Sequence, residues 1–221
     1  MKTLIRTMKE LMIEERYDID YHLPAEGIKQ YPENRLITVS DIADVSNEVR
    51  DPSQIPEEEF LYVDIASIDI SSGLVTNPQE LLGEEAPSRA RMVIHKNYVV
   101  VSTVRPTRGA IAVIPQELDN QICSTGFTVL KCKPNIDPYY LQFVLKLPST
   151  LEQFRKFSTG SSYPAILSSD VLKTLIPKAE EGKQNQISQQ MKISIQKRIE
   201  FLKQADDIMN QAIEYCNNIL K

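Results

Sequence analysis

Cysteine and histidine are both scarce: Cys123, Cys132 and Cys216, with His22 and His95, in 221 residues. The cysteines form no CxxC pair, their number is odd, and the histidines lie far apart. The spacing of a zinc site is therefore missing, and a reducing, cytoplasmic setting is expected. No apolar stretch approaches the roughly 20 residues of a membrane span, so no membrane association is expected. Glu10, Glu14 and Glu15 stand where a signal peptide would be greasy. Glycine is held to seven residues, and the enzyme signatures built on it are missing, with no GxGxxG, Walker A lysine or GxSxG. HExxH is absent too. Asn77-Pro78-Gln79-Glu80 lacks the second proline and aromatic residue of the amino-methyltransferases. No glycine loop for S-adenosylmethionine follows a strand. No catalytic residue, cofactor or metal is expected.

Basic residues do not dominate either. The formal net charge is -5, against the usual footprint of a nucleic-acid binder. Its distribution is uneven. Residues 91–178 hold eleven Lys or Arg against five Asp or Glu, 11 − 5 = +6. Residues 41–90 hold twelve acids against two arginines. An acidic chain of this kind can still present a basic face.

What is present divides the chain into three. Residues 3–16 place Leu4, Ile5, Met8, Leu11 and Met12 at helical spacing, and a connector broken by Pro24 and Pro32 completes a segment 1–35. Residues 36–178 read as one mixed domain. Leu61, Val63 and Ile65 alternate like a half-buried strand closed by Ser71-Ser72-Gly73. Residues 97–104 are β-branched and read as a strand buried on both sides, and residues 109–115 and 126–133 read as two more. Asp137 with Pro138 starts a helix. Ser149 with Glu152 predicts a capping box for the next, running to about Phe157. A further helical turn or two is expected over Asp170 to Ile176.

Residues 179–221 are the most regular segment. No Gly or Pro interrupts Gln184 to Leu220. Leu202, Ala205, Met209, Ala212, Cys216 and Ile219 fall at alternating steps of three and four, a heptad seam that Ile187, Met191, Ile195 and Ile199 extend upstream. Such a rod either packs back on its own domain or pairs with another helix; its length favours pairing. The fold class is therefore α+β: a β-rich domain with short helices, followed by a long helix that forms a coiled coil.

Two stretches carry candidate chemistry. In residues 102–115 a buried strand delivers Arg105 and Arg108 to a turn fixed by Pro106 and Gly109, a placement suited to phosphate or guanine edges. Alone, it is equally a solvated turn. Ser158, Thr159, Gly160, Ser161, Ser162 and Tyr163 form a polar loop whose hydroxyls and N–H groups suit phosphates, with Tyr163 available for stacking. Asp170 with Glu181-Gly182-Lys183 mimics the acid…acid-x-Lys set of metal-dependent nucleases. Such carboxylates belong on adjacent strands, whereas here one opens a helix and one lies in a linker.

In order along the chain, residues 35–46, 60–75, 99–115 with 122–134, 137–145 and 157–177 resemble the blocks of the target recognition domain of type I restriction–modification specificity subunits. The resemblance extends over the long helix, to residue 221. It implies a non-catalytic DNA-binding module that recognises half of a split target. It also implies a spacer helix that pairs antiparallel with a counterpart and docks DNA adenine methyltransferase (modification) subunits, with a restriction subunit as a further partner. Members typically carry two recognition domains and two helices, so this chain is expected to act as a half-subunit and homodimerise through Ile195, Ile199, Leu202, Ala205, Met209, Ala212, Cys216 and Ile219. Double-stranded DNA would meet Lys96, Arg105, Arg108, Lys131 and the loop Ser158–Tyr163. The competing reading is a protein interaction module that pairs through the same helix and binds no DNA.

Overall fold

The computed structural model describes residues 7–9, 12, 17, 19–23, 25–160 and 162–220. The amphipathic helix expected over 3–16 lies mostly outside the described residues; Met8, Lys9 and Met12 are helical. A short helix α1 (Ile19–His22) follows.

The domain is built on two four-stranded sheets. The first has the order β2-β11-β8-β9, from Ala43–Val45, Phe127–Cys132, Val99–Ser102 and Ile111–Val113, all antiparallel. The second has the order β6-β3-β10-β7, from Gln79–Leu82, Glu59–Val63, Gln121–Ser124 and Ala90–Ile94, with β3 and β10 parallel. Two small pairs complete the strands: β1 (Leu36–Thr38) with β12 (Leu175–Pro177), and the hairpin β4 (Ile68–Asp69) with β5 (Leu74–Val75).

Side-chain alternation sets the layers. On β8, Val99 and Val101 face a core shared with Leu141, Val144, Leu145 and Phe154 of helices α2 (Pro138–Leu145) and α3 (Pro148–Phe157). Val100 faces the second sheet, against Val63, Ile94 and Cys123. Phe60, Tyr62, Val93 and Ile122 form a smaller cluster on that sheet's far side. The result is helices over sheet over sheet, and β8 is buried on both faces as its β-branched run predicts.

Helix starts are partly as expected. Asp137 caps α2 by accepting from Tyr139 N. The capping box of Ser149 and Glu152 does not form: α3 begins at Pro148 with Leu147 as its cap residue. Ser149 is buried, and the Glu152 carboxylate instead accepts the backbone N–H groups of Glu26 and Gly27 at 3.0 and 2.8 Å. Two charge-assisted bonds to a distant segment take the place of one to its own helix start. Helix α4 covers Ser168–Lys173, and Leu175–Pro177 is strand β12 rather than a continued turn. Lys173 Nζ bonds Tyr21 Oη at 2.7 Å, so the N-terminal segment is tied to α3 and α4 together.

Helix α5 (Glu181–Ile219, 39 residues) is about 58 Å long at 1.5 Å per residue. Its first half packs on the domain, with Ser188 and Ile195 buried and Ile187 against the main core. Tyr140 Oη donates to Pro177 O and accepts from Ala179 N, pinning the entry to the helix. Residues 196–220 are all exposed. Ile195 therefore belongs to the domain contact. The uncovered seam begins at Ile199 and includes Leu202, Met209 and Ile219.

Candidate nucleic-acid interface

Strand β8 leaves the core at Ser102, and the chain turns sharply. Arg105 takes a left-handed backbone (φ 48, ψ 51), Pro106 to Arg108 make one tight turn, and Gly109 is left-handed again (φ 71). A left-handed backbone at a residue with a Cβ costs on the order of 1 kcal/mol. Neighbours hold it there. Arg105 N donates to Pro164 O at 2.7 Å, Ile166 N donates to Thr103 O at 3.0 Å, and Val104 pairs with Ala165.

Those bonds bring the polar loop to the arginine turn. Thr159 and Ala165 exchange both backbone hydrogen bonds at 2.9 Å, closing the loop on itself around Gly160 (φ 86). Ser158 Oγ donates to Phe154 O and closes helix α3. Tyr163 is 72% exposed, and the Arg105 guanidinium lies over its ring, 5.0 Å from the centroid. Ser162 and Tyr163 are described; Ser161 lies outside the described residues.

Between this assembly and the second sheet runs a cleft of about 840 Å³. Arg89, Arg105 and Arg108 line it with Tyr62, Asp64, Ile70, Ser124 and Tyr163. Among the described residues no carboxylate pairs with any of the three arginines. Guanidinium groups without an internal partner, beside an exposed aromatic ring, suit an anionic ligand carrying flat bases.

The expected residues divide into two groups. Arg105, Arg108 and Tyr163 of the loop converge on the cleft. Lys96 precedes β8 and Lys131 stands one residue beyond Leu130, which pairs with Val99. Both lysines are exposed at the other end of β8, whose four residues span about 13 Å at roughly 3.3 Å per strand residue. Much of the local positive excess is used internally. Lys146 Nζ donates to Ile70 O and Gly109 O, Lys156 to Leu23 O, and Lys173 pairs with Asp170 at 2.8 Å. Burial draws the Lys146 pKa below its ordinary value.

Sequence reasoning passed over Arg89, Asp64 and Ser124. The signal lay in the strand ends next to them, since Asp64 follows β3 and Ser124 ends β10. Asp170 has a structural role, accepting from Leu167 N at 2.8 Å, and Lys183 pairs with Glu180. Burial pushes the Cys132 thiol up to about 12 and the Cys123 thiol higher still.

Comparison with solved structures decides the fold. The HsdS subunit from Thermoanaerobacter tengcongensis superposes with a TM-score of 0.67 at 34% identity, covering 82% of this chain and 47% of that one. In fold and in sequence this chain resembles the specificity subunits of type I restriction–modification systems. A chain from a type I system, solved for its complex assembly and conformational transition, matches at TM-score 0.65 and 34% identity, over 77% of this chain and 44% of that one. The S subunit of the M. genitalium type I system shares the fold at TM-score 0.53 and 18% identity, over 78% of this chain and 41% of that one. The chain thus spans about half the length of the specificity subunits it matches. No protein-family model and no curated protein matches the sequence.

Proposed function

We propose that this chain is a DNA-specificity subunit of a type I-like restriction–modification system, recognising half of a split target without catalysing a reaction. The observation that carries it is the three-arginine cleft beside Tyr163, in a chain similar to HsdS. Arg105 and Arg108 engage the duplex, and the 158–163 loop contacts phosphates. Exposed Lys96 and Lys131 serve a second stretch of backbone at the far end of the sheet. Residues 36–178 form the recognition unit and 179–221 the spacer.

The uncovered seam from Ile199 to Ile219 pairs with a second copy, giving a two-fold dimer that reads two half-sites. The helices dock methyltransferase subunits, with a restriction subunit as a further partner of the assembly.

Titration of duplex DNA at several salt concentrations tests the reading. Arg105→Ala and Arg108→Ala are each expected to weaken binding and to reduce the salt slope by about one per lost phosphate contact. Lys96→Ala and Lys131→Ala report separately on the distant lysines. Unchanged binding by both arginine variants overturns the assignment.

A further inference from the structure

The arginine cleft contains one carboxylate, Asp64. A surface that met phosphates alone would gain nothing from it, because a fixed negative charge repels them. Two ordinary explanations are open to an acid among arginines: it neutralises one of them, or it closes a local turn. The first fails, since Asp64 forms no ion pair with Arg89, Arg105 or Arg108. The second accounts for half of the group. Oδ1 accepts Ser67 N at 2.8 Å and Ser67 Oγ at 2.9 Å, while Asp64 N donates back to Ser67 Oγ at 3.2 Å. Oδ2 has a single long bond from Gln79 Nε2, at 3.3 Å and exposed. Ser67 is 1% exposed, so the carboxylate is held from behind by a buried partner with its second oxygen weakly engaged.

We propose that Asp64 is a specificity-determining residue that accepts a hydrogen bond from a base amino group, reading one G·C pair of the half-site together with an arginine of the same cleft. The inference rests on the DNA-recognition reading above. In the major groove only cytosine N4 and adenine N6 offer a donor, whereas guanine and thymine present acceptors. A carboxylate tolerates the first pair and rejects the second, because covering it with an acceptor leaves a desolvated charge without a partner. Arginine has the complementary preference for guanine O6 and N7. A G·C pair satisfies both groups at one step, guanine towards the guanidinium and cytosine N4 towards Asp64. An A·T pair satisfies the carboxylate only.

Selection from a randomised duplex pool tests this with the full chain, Asp64→Asn and Asp64→Ala, after circular dichroism shows each variant folded. Asparagine can keep the Ser67 bonds through its carbonyl and puts a donor where Oδ2 was. The wild type is expected to select cytosine at one position, with discrimination of about tenfold to a hundredfold. Asp64→Asn and Asp64→Ala should each lower that discrimination by about tenfold, leaving the share that the arginine's preference for the guanine of the same pair supplies. Other positions should be unchanged in both. Adenine at the position in the wild type would keep the amino contact and overturn the G·C assignment. A preference for cytosine that both variants keep undiminished overturns the proposal. If the wild type selects no motif, the recognition reading fails first, and this inference with it.

Discussion

Arg198 Nη2 stands 2.8 Å from Asp69 Oδ2, and the same nitrogen reaches Ser71 Oγ at 3.0 Å. The contact joins the middle of the long helix to the tip of the β4–β5 hairpin. Asp69 also accepts from Ser71 N at 2.9 Å and Ser72 Oγ at 2.6 Å. Ile70, the next residue, lines the arginine cleft, and Lys146 ties its carbonyl to that of Gly109. One hairpin thus touches the helix, the cleft wall and the arginine turn. Gly73 permits it: at φ 74, an added Cβ would lie 2.2 Å from Gln142 Nε2 and 2.5 Å from Ile111 O.

The two ends of this contact should not be worth the same. Arg198 is 45% exposed, so Arg198→Ala should cost less than about 1 kcal/mol and its effect should shrink with salt. Asp69→Ala strips the turn of its acceptor and should cost about 1–3 kcal/mol, largely independent of salt. Urea unfolding at low and high salt separates them. Equal costs would mean that the ion pair, rather than the turn, carries the stability.

Acid should loosen the same region. Partial burial acts against ionisation of Asp69, but hydrogen bonds from Ser72, Ser71 and Arg198 outweigh it and hold its carboxyl well below the ordinary 3.8. The N–H groups of Gly27 and then Glu26 do likewise for Glu152, ordinarily 4.5. Both carboxyls bind a proton more readily in the unfolded chain, so their contribution is complete above about pH 4.5 and declines as pH falls below it. Unfolding midpoints between about pH 3 and pH 6 should show this slope, flattened in Asp69→Asn with Glu152→Gln. A slope unaltered in the double variant would place the titration elsewhere.

At Arg105, stability and binding are expected to part company. Glycine accepts the left-handed backbone without its steric cost, so Arg105→Gly should leave the melting temperature unchanged or raise it by about 2–4 °C per kcal/mol gained. It should also lose the DNA affinity that Arg105 supplies. A variant that melts well below the wild type would show that the guanidinium–Tyr163 contact outweighs the backbone strain.

The uncovered seam predicts an association that a single charge disrupts. Light scattering should give a mass near twice 25.2 kDa, and Leu202→Asp or Met209→Asp should return it to that of one chain with the domain still folded. A monomeric wild type would direct the seam to a different chain.

Legibility in the sequence followed local strength of pattern. The valines of β8 and the unbroken run of α5 are decided by burial and periodicity within the segment, and both were readable. Strands β7 and β10 were missed because their residues alternate between two cores that only the assembled sheets define. Ser149 and Glu152 have the spacing of a capping box, yet Gly27, 125 residues away, takes the carboxylate. The cleft shows the same limit. Arg105 and Arg108 announce themselves by their turn, while Arg89 and Asp64 reach it through strand order. Lys96 and Arg105 lie beyond opposite ends of β8, so the strand holds them apart.

The exposed half of α5 gives the chain two kinds of folding. Residues up to Arg198 gain their order from contacts within one molecule, at any dilution. Beyond that point an exposed helix has little more than intrinsic propensity to hold it, and in proteins most helical stability comes from packing instead. Helical content per chain should therefore rise with protein concentration even though the domain's fold does not change. The length of the rod becomes a record of how much partner is present.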